Sequence, residues 1–379
     1  MADSPISRVW TEPHLKARTE QIYSQLAGTS TQQLPRAIND LLAFHQYPLI
    51  IRLLDAVHRE ALLKDQSWVI PQRHERILKL ATLGNAVINL NLQDVANFVD
   101  THVVNDELEA ALLTLSWPKQ AMTNERGPLH DLVPTYQLLL EVIEILAVRG
   151  EVAMALSVLH LVAEYLPLLA WQSTLGHAGD PVKFEAQLNA PTTRWNQESC
   201  PLNRQERHAF ASVSVALESD AKWQTYLKDG HSRVAGALIV CGGVPEPAST
   251  HNGQRTCRNP CSVMSGDKSL SWKTVLIRRF KESAVLTLRH DSPVGHFFSV
   301  PSEVEILATW ETSWEGFLAH RDEAPHSHNP LVHMNRTGAL PGLYEFIGFM
   351  ADLDGPMEPS NVLGSIADRI RLITNEMTL

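Results

Sequence analysis

Between Val133 and Ala170 the chain reads VPTYQLLLEVIEILAVRGEVAMALSVLHLVAEYLPLLA. No other stretch limits the fold as much. Apolar residues recur at i, i+3, i+4 and i+7 through its first half, the pattern of a helix facing a core. Arg149-Gly150 falls where a helix C-cap glycine would sit. The second half, from Glu151 to Ala170, is apolar almost all round. A helix with no polar face needs cover on every side, so the pair reads as an αα-hairpin whose second helix lies centrally. That second helix is close to membrane-span length, but it carries Glu151, His160 and Glu164. Charged groups at bilayer depth are expensive, so the reading is a buried helix and no membrane.

The same periodicity runs through most of the first 175 residues, in LPRAINDLLAFHQYPLIIRLLDAVHREALL, ERILKLATLGNAVINL, LQDVANFVDTHV and DELEAALLTL. No internal period of repeat length recurs. The texture changes over 176–203, which is rich in Pro, Asn, Thr and Gly and reads as a linker. The expectation is a mainly α, two-lobed helical protein: a helical N-terminal lobe over 1–175, the linker, and a C-terminal lobe over 204–379. In that second lobe SAVLTLRH, GHFFSVPS and VEILATW fit short strands or short helices equally well. SNVLGSIADRIRLITNEM reads as a terminal helix capped by Ser360 or Asn361.

The 379 residues carry a net charge of -10, and 44% are hydrophobic, enough for a sizeable core. The four cysteines, Cys200, Cys241, Cys257 and Cys261, are too few for a disulfide scaffold, which points to a reducing compartment. No apolar signal-peptide core opens the chain, so a cytoplasmic location is expected.

Enzymatic patterns are thin. There is no phosphate loop, dinucleotide fingerprint, HExxH or GxSxG. HRDEAPHSHNPLVH offers His320, Asp322, His326, His328 and His333 as metal ligands. Its H-x-D element lacks the distal histidine of an iron-oxygenase triad, so it reads first as a polar loop. Cys241, His251, Cys257 and Cys261 could close a zinc site, with looser spacing than usual. Asp352 and Asp354 in ADLDGP could serve acid/base work, but the following Gly-Pro makes a turn the simpler reading. No cofactor and no catalytic activity are expected. Trp272 could stack a base, although core packing accounts for it equally.

What remains is charge. From Arg255 to Arg289 eight Lys and Arg stand against Asp267 and Glu282, a local +6 in a chain whose remainder is -16. Wound as a helix at 100° per residue, residues 272–282 put Lys273, Thr274, Arg278, Lys281 and Glu282 on one half of the wheel. Trp272, Val275, Leu276 and Phe280 fall on the other. One face packs and the other presents cations, a geometry that suits a phosphate backbone. The candidate RNA-binding residues are Lys268, Lys273, Arg278, Arg279, Lys281 and Arg289. A solvated helix face is the plainer alternative.

With the apolar pair 136–170 and WKTVLIRRFK, this plan resembles the nucleoproteins of negative-strand RNA viruses. The resemblance implies a self-assembling protein that clamps single-stranded RNA between two lobes, independently of sequence. It would also be found in a ribonucleoprotein or virion. Segments 1–20 and 356–379 would then be exchange arms, their apolar residues (among them Val362, Ile366, Ile370, Leu372 and Ile373) covered by a neighbouring subunit. A helical protein-interaction scaffold, with a binding groove among the N-terminal helices, is the other reading. A metal-dependent enzyme using His320–His333 is a third.

Overall fold

The computed structural model describes residues 33–63, 72–101, 107–115, 131–175, 218–226, 230–242, 268–288, 301–319 and 335–376, with single positions between them. Among these residues every long element is a helix. In chain order they are α1 (Leu34–Leu42), α2 (Tyr47–Leu63), α3 (Gln72–Ile88), α4 (Leu92–Thr101), α5 (Glu107–Leu115), α6 (Val133–Val148) and α7 (Val152–Leu175). They continue with α8 (Asp220–Thr225), α9 (His231–Gly242), α10 (Lys268–Lys281), α11 (Ala284–Thr287), α12 (Glu303–Ala319), α13 (Leu343–Met350) and α14 (Val362–Asn375). The fold is mainly α. Two of the ambiguous segments contain helix: Ala284–Thr287 of SAVLTLRH forms α11, and VEILATW lies within α12. Packing against neighbouring helices, α7 and α12 for α11 and α10 for α12, decides these short apolar runs, not their local pattern.

The chain forms two compact units, and their membership cuts across the sequence-derived lobes. The first gathers residues 1–116, 140–151 and 359–379; the second gathers 117–139 and 152–358. Helix α7 therefore belongs with the C-terminal helices, and α14 with the N-terminal ones. Residues 176–203, read as the linker, lie outside the described residues.

In the first unit α3 packs on α2, α4 and α14, and α14 also meets α1 and α5. The amphipathic spacing of α14 explains its place: Val362, Ile366, Ile370 and Ile373 are all buried. Their cover comes from the same chain, which removes the need for a neighbouring subunit that the arm reading of 356–379 rested on. Leu372 alone of that set is exposed, at 65%. The arm proposed at 1–20 lies outside the described residues. Tyr47 fastens this unit from within. Its ring lies over Gly84, where a Cβ would come within 2.5 Å, and its hydroxyl donates to the Leu363 carbonyl (2.9 Å).

In the second unit α7 is central, as its apolar circumference requires. It is long and apolar enough to cross a membrane, and here it meets α9, α10, α11 and α13. Tyr136 donates its hydroxyl to the Val162 carbonyl (2.9 Å). Phe280, Trp310, Trp314, Phe317 and Phe346 form a buried aromatic cluster with edge-on and stacked contacts between 5.1 and 6.3 Å. Gly342, at φ +95°, turns the chain beneath Trp314; a Cβ there would lie 2.6 Å from the indole.

Gly150 is the expected cap. At φ +67° it ends α6, with Gly150 N–H donating to Ala147 (3.0 Å) and Glu151 N–H to Leu146 (2.9 Å). This paired bonding is the Schellman arrangement that a left-handed glycine permits.

Candidate functional site

Helix α10 carries the basic stretch. It runs from Lys268 to Lys281 and places Arg278, Arg279 and Lys281 in its last turn, where cations complement the partial negative charge of a helix C-terminus. Helices α7, α9 and α12 all pack on it. That enclosure corrects the two-faced wheel. Lys273 and Thr274, placed on the solvent half, are 2% and 1% exposed. Thr274 turns its hydroxyl back to the Leu270 carbonyl (2.9 Å).

Lys273 is committed inside the protein. Its Nζ donates to the Met350 carbonyl (3.1 Å) and to the Asp352 carboxylate, and stands 5.7 Å from the centre of the Phe349 ring. Met350 is the last residue of α13. The following turn is a second Schellman arrangement, with Asp352 N–H donating to Phe349 (3.3 Å) and Leu353 N–H to Gly348 (3.0 Å). Asp352 holds the left-handed position at φ +58°, one that aspartate tolerates better than most residues. Its other carboxylate oxygen accepts from the Ser173 hydroxyl (2.7 Å). Two sequence candidates, the basic Lys273 and the acidic Asp352, are thus each other's partners. Asp354 is exposed on the same turn.

The other basic candidates differ. Arg278, Arg279 and Lys281 are half-buried within four residues. Arg278 donates weakly to the Ile239 carbonyl (3.4 Å). Burial pulls the Lys281 ammonium below the usual lysine range, and the charge of Glu164 on α7 pulls it part of the way back. Glu164 also lies 3.9 Å from His160. Beside it, Tyr165 stacks on His231 at 4.9 Å, and burial raises the Tyr165 phenol to about 12. His231 is itself buried against the Tyr226 carbonyl (3.1 Å). Trp272 is buried, as the packing reading had it.

The side chain of Lys268 and all of Arg289 lie outside the described residues. So do His320, Asp322, His326, His328 and His333, and also Cys200, His251, Cys257 and Cys261; Cys241 contributes only its backbone, in α9. Among the described residues no group of three His, Cys, Asp or Glu is spaced to hold a metal ion.

Sequence reasoning missed Glu141. It sits on α6 in the first unit and is 7% exposed. Its carboxylate accepts the backbone N–H groups of Val362 (3.1 Å), Leu363 (3.1 Å) and Gly364 (3.2 Å), together with the Ser360 hydroxyl. These amides open α14, where no intrahelical acceptor exists. A neighbouring helix therefore supplies the cap that Ser360 or Asn361 was expected to provide. Burial raises the Glu141 carboxyl, and the four hydrogen bonds draw it back. The signal was available: one acid within LLLEVI, surrounded by apolar residues that must be buried.

No family model, curated protein or solved structure matches this chain.

Proposed function

We propose that this chain is a non-enzymatic, self-assembling protein that binds single-stranded RNA through its phosphate backbone, with Arg278, Arg279 and Lys281 as the contacts. The observation that carries the reading is the state of these three cations at the end of α10. They are half-buried and adjacent. Among the described residues Lys281 makes no ion pair, and its desolvation is only partly offset by Glu164. A partly desolvated ammonium gains more from an incoming phosphate than a fully hydrated one does. The acidic total charge is no obstacle, because the local field governs binding and the net charge governs solubility. Lys273 leaves the phosphate-binding set, since its ammonium is occupied by Met350 and Asp352.

The test is fluorescence anisotropy with labelled oligouridylate over a salt series, on the full chain. Three phosphate contacts on a single strand give a log–log salt slope of about -2. Replacing Arg278, Arg279 and Lys281 together by alanine flattens that slope and weakens binding for any base sequence. If affinity ignores salt, or survives the triple replacement, the three cations serve only the dipole of their own helix. Light scattering with absorbance at 260 and 280 nm tests assembly: a large uniform particle with a high ratio supports it, and a nucleic-acid-free monomer argues against it.

A further inference from the structure

We propose that the cleft between α3 and α4 in the first unit docks an extended peptide segment of a partner protein, one carrying a lysine or arginine side chain. The cleft measures about 280 Å³. Its floor is apolar, formed by the buried Leu83 and Ala86, with Phe98 as a half-buried wall. Its rim is amide-rich: Asn85 and Asn89 lie one turn apart, and Asn91 and Asp94 face them from the start of α4.

The rim is already ordered by its own hydrogen bonds. Asn89 Nδ2 donates to the Asn85 carbonyl (2.7 Å) and to Asn85 Oδ1 (3.0 Å). Asn91 Nδ2 donates to Asp94 Oδ2 (2.6 Å), and the Asp94 amide returns a long bond to Asn91 Oδ1 (3.4 Å). These bonds leave Asn85 Nδ2 as donor and Asn89 Oδ1 and Asp94 Oδ1 as acceptors, none of them engaged by another described residue. A carboxamide offers both a donor and an acceptor, the complement of a peptide group. A rim of fixed carboxamides therefore recognises main chain without demanding a particular sequence, and its prior ordering lowers the entropy cost of binding.

Among the described residues that line the cleft, Asp94 alone carries a formal charge. It repels phosphate and attracts a cation, which sets this site apart from the basic turn of α10 and favours protein over RNA as the occupant. The volume corresponds to roughly nine waters at ~30 Å³ each, room for one long side chain with its flanking peptide groups. A lysine or arginine fits that description. Its stem would lie on Leu83, Ala86 and Phe98 while its head pairs with Asp94.

The experiment is saturation-transfer NMR on the full chain with three probes: N-acetyl-lysine methylamide, N-acetyl-glutamate methylamide and uridine 5′-monophosphate. Saturation should reach the lysine probe selectively. Asp94→Asn should weaken it about threefold to fivefold, the worth of an exposed ion pair. Asn85→Leu should weaken it as well, through the main-chain contacts. Asp94 is exposed and Asn85 half-buried, and unchanged thermal unfolding confirms that the variants are folded. Equal saturation of the lysine and glutamate probes overturns the proposal. So does a response to the nucleotide alone, retention of the lysine signal in both variants, or no signal from any probe.

Discussion

Each unit holds one helix end by a charge borrowed from another helix, and the two solutions are of opposite sign. In the first unit the Glu141 carboxylate takes the free N–H groups at the start of α14. In the second the Lys273 ammonium takes the last carbonyl of α13. Both obey the polarity of the helix, which is partially positive at its N-terminus and partially negative at its C-terminus. They differ in what balances the charge. Lys273 has a carboxylate partner, Asp352, that is 47% exposed. Glu141 is bonded to backbone N–H groups and a hydroxyl, with no cation among these partners. The first joint is therefore all or nothing, because removing the carboxylate orphans several buried donors at once. The second is graded, because water can reach part of it.

The largest expected effect breaks the first joint. Glu141→Leu leaves the amides of 362–364 without acceptors, and the stability lost is about 3 kcal/mol or more, at 1–3 kcal/mol for each buried unsatisfied donor. Urea unfolding reads the loss, and hydrogen exchange should show it concentrated at 362–364. Glu141→Gln, which keeps one acceptor oxygen, should lose less.

Next comes pH, through His45. This residue sits at φ +51° before α2, with Nδ1 3.1 Å from the Tyr47 hydroxyl. Tyr47 spends its proton on Leu363, so the His45 ring is the donor in that contact. Burial, then Arg371 and Arg149, lower the His45 pKa from 6.5 to about 4, against a smaller opposing pull from Asp368. Between those values the unfolded chain binds more protons than the folded one, so stability falls as pH drops through the window. At about 1.4 kcal/mol per unit the loss is ~3 kcal/mol. Glu141 runs the other way: its raised pKa contributes stability below the ordinary carboxylate value, which is lost as pH rises through the folded one. Urea midpoints from pH 7 to pH 4 should show His45→Asn flattening the acid limb, with the asparagine tolerating the left-handed backbone.

Lys273→Met should cost less, about 1–2 kcal/mol, because the methionine keeps the contact with Phe349 while one carbonyl loses its donor. Asp352→Asn is the smallest change, under ~1 kcal/mol for a partner so exposed. A double-mutant cycle between the two gives their coupling directly. A coupling as large as the Glu141 loss would erase the contrast between the joints.

The helices themselves were legible because they rest on local rules. Gly150 announced its cap, and the nearly all-round apolar surface of 151–170 announced a central helix. Lys273 and Glu141 were harder to read because their roles depend on partners far along the chain. Lys273 answers to residues 77 and 79 positions away, and Glu141 to an amide 223 positions away. A helical wheel assumes one packed face and one wet face. Helix α10 is enclosed by three neighbours, so a lysine on its nominally wet half was drawn inside, where α13 gave it a carbonyl and Asp352 a charge. Unit membership was hidden for the same reason: nothing within 359–379 says that its amphipathic face matches α1, α3 and α5.

That membership has a consequence for the order in which the protein comes into being. A ribosome delivers α1 to α5 before the second unit and α14 after it. Throughout the synthesis of the second unit, the groove for α14 stands open, with its apolar floor wet and Glu141 without the amides it will later bind. Of the two units, the first is begun earlier and completed later. A premature stop after residue 358 would remove only 21 of these 379 residues and yet leave that unit without a wall.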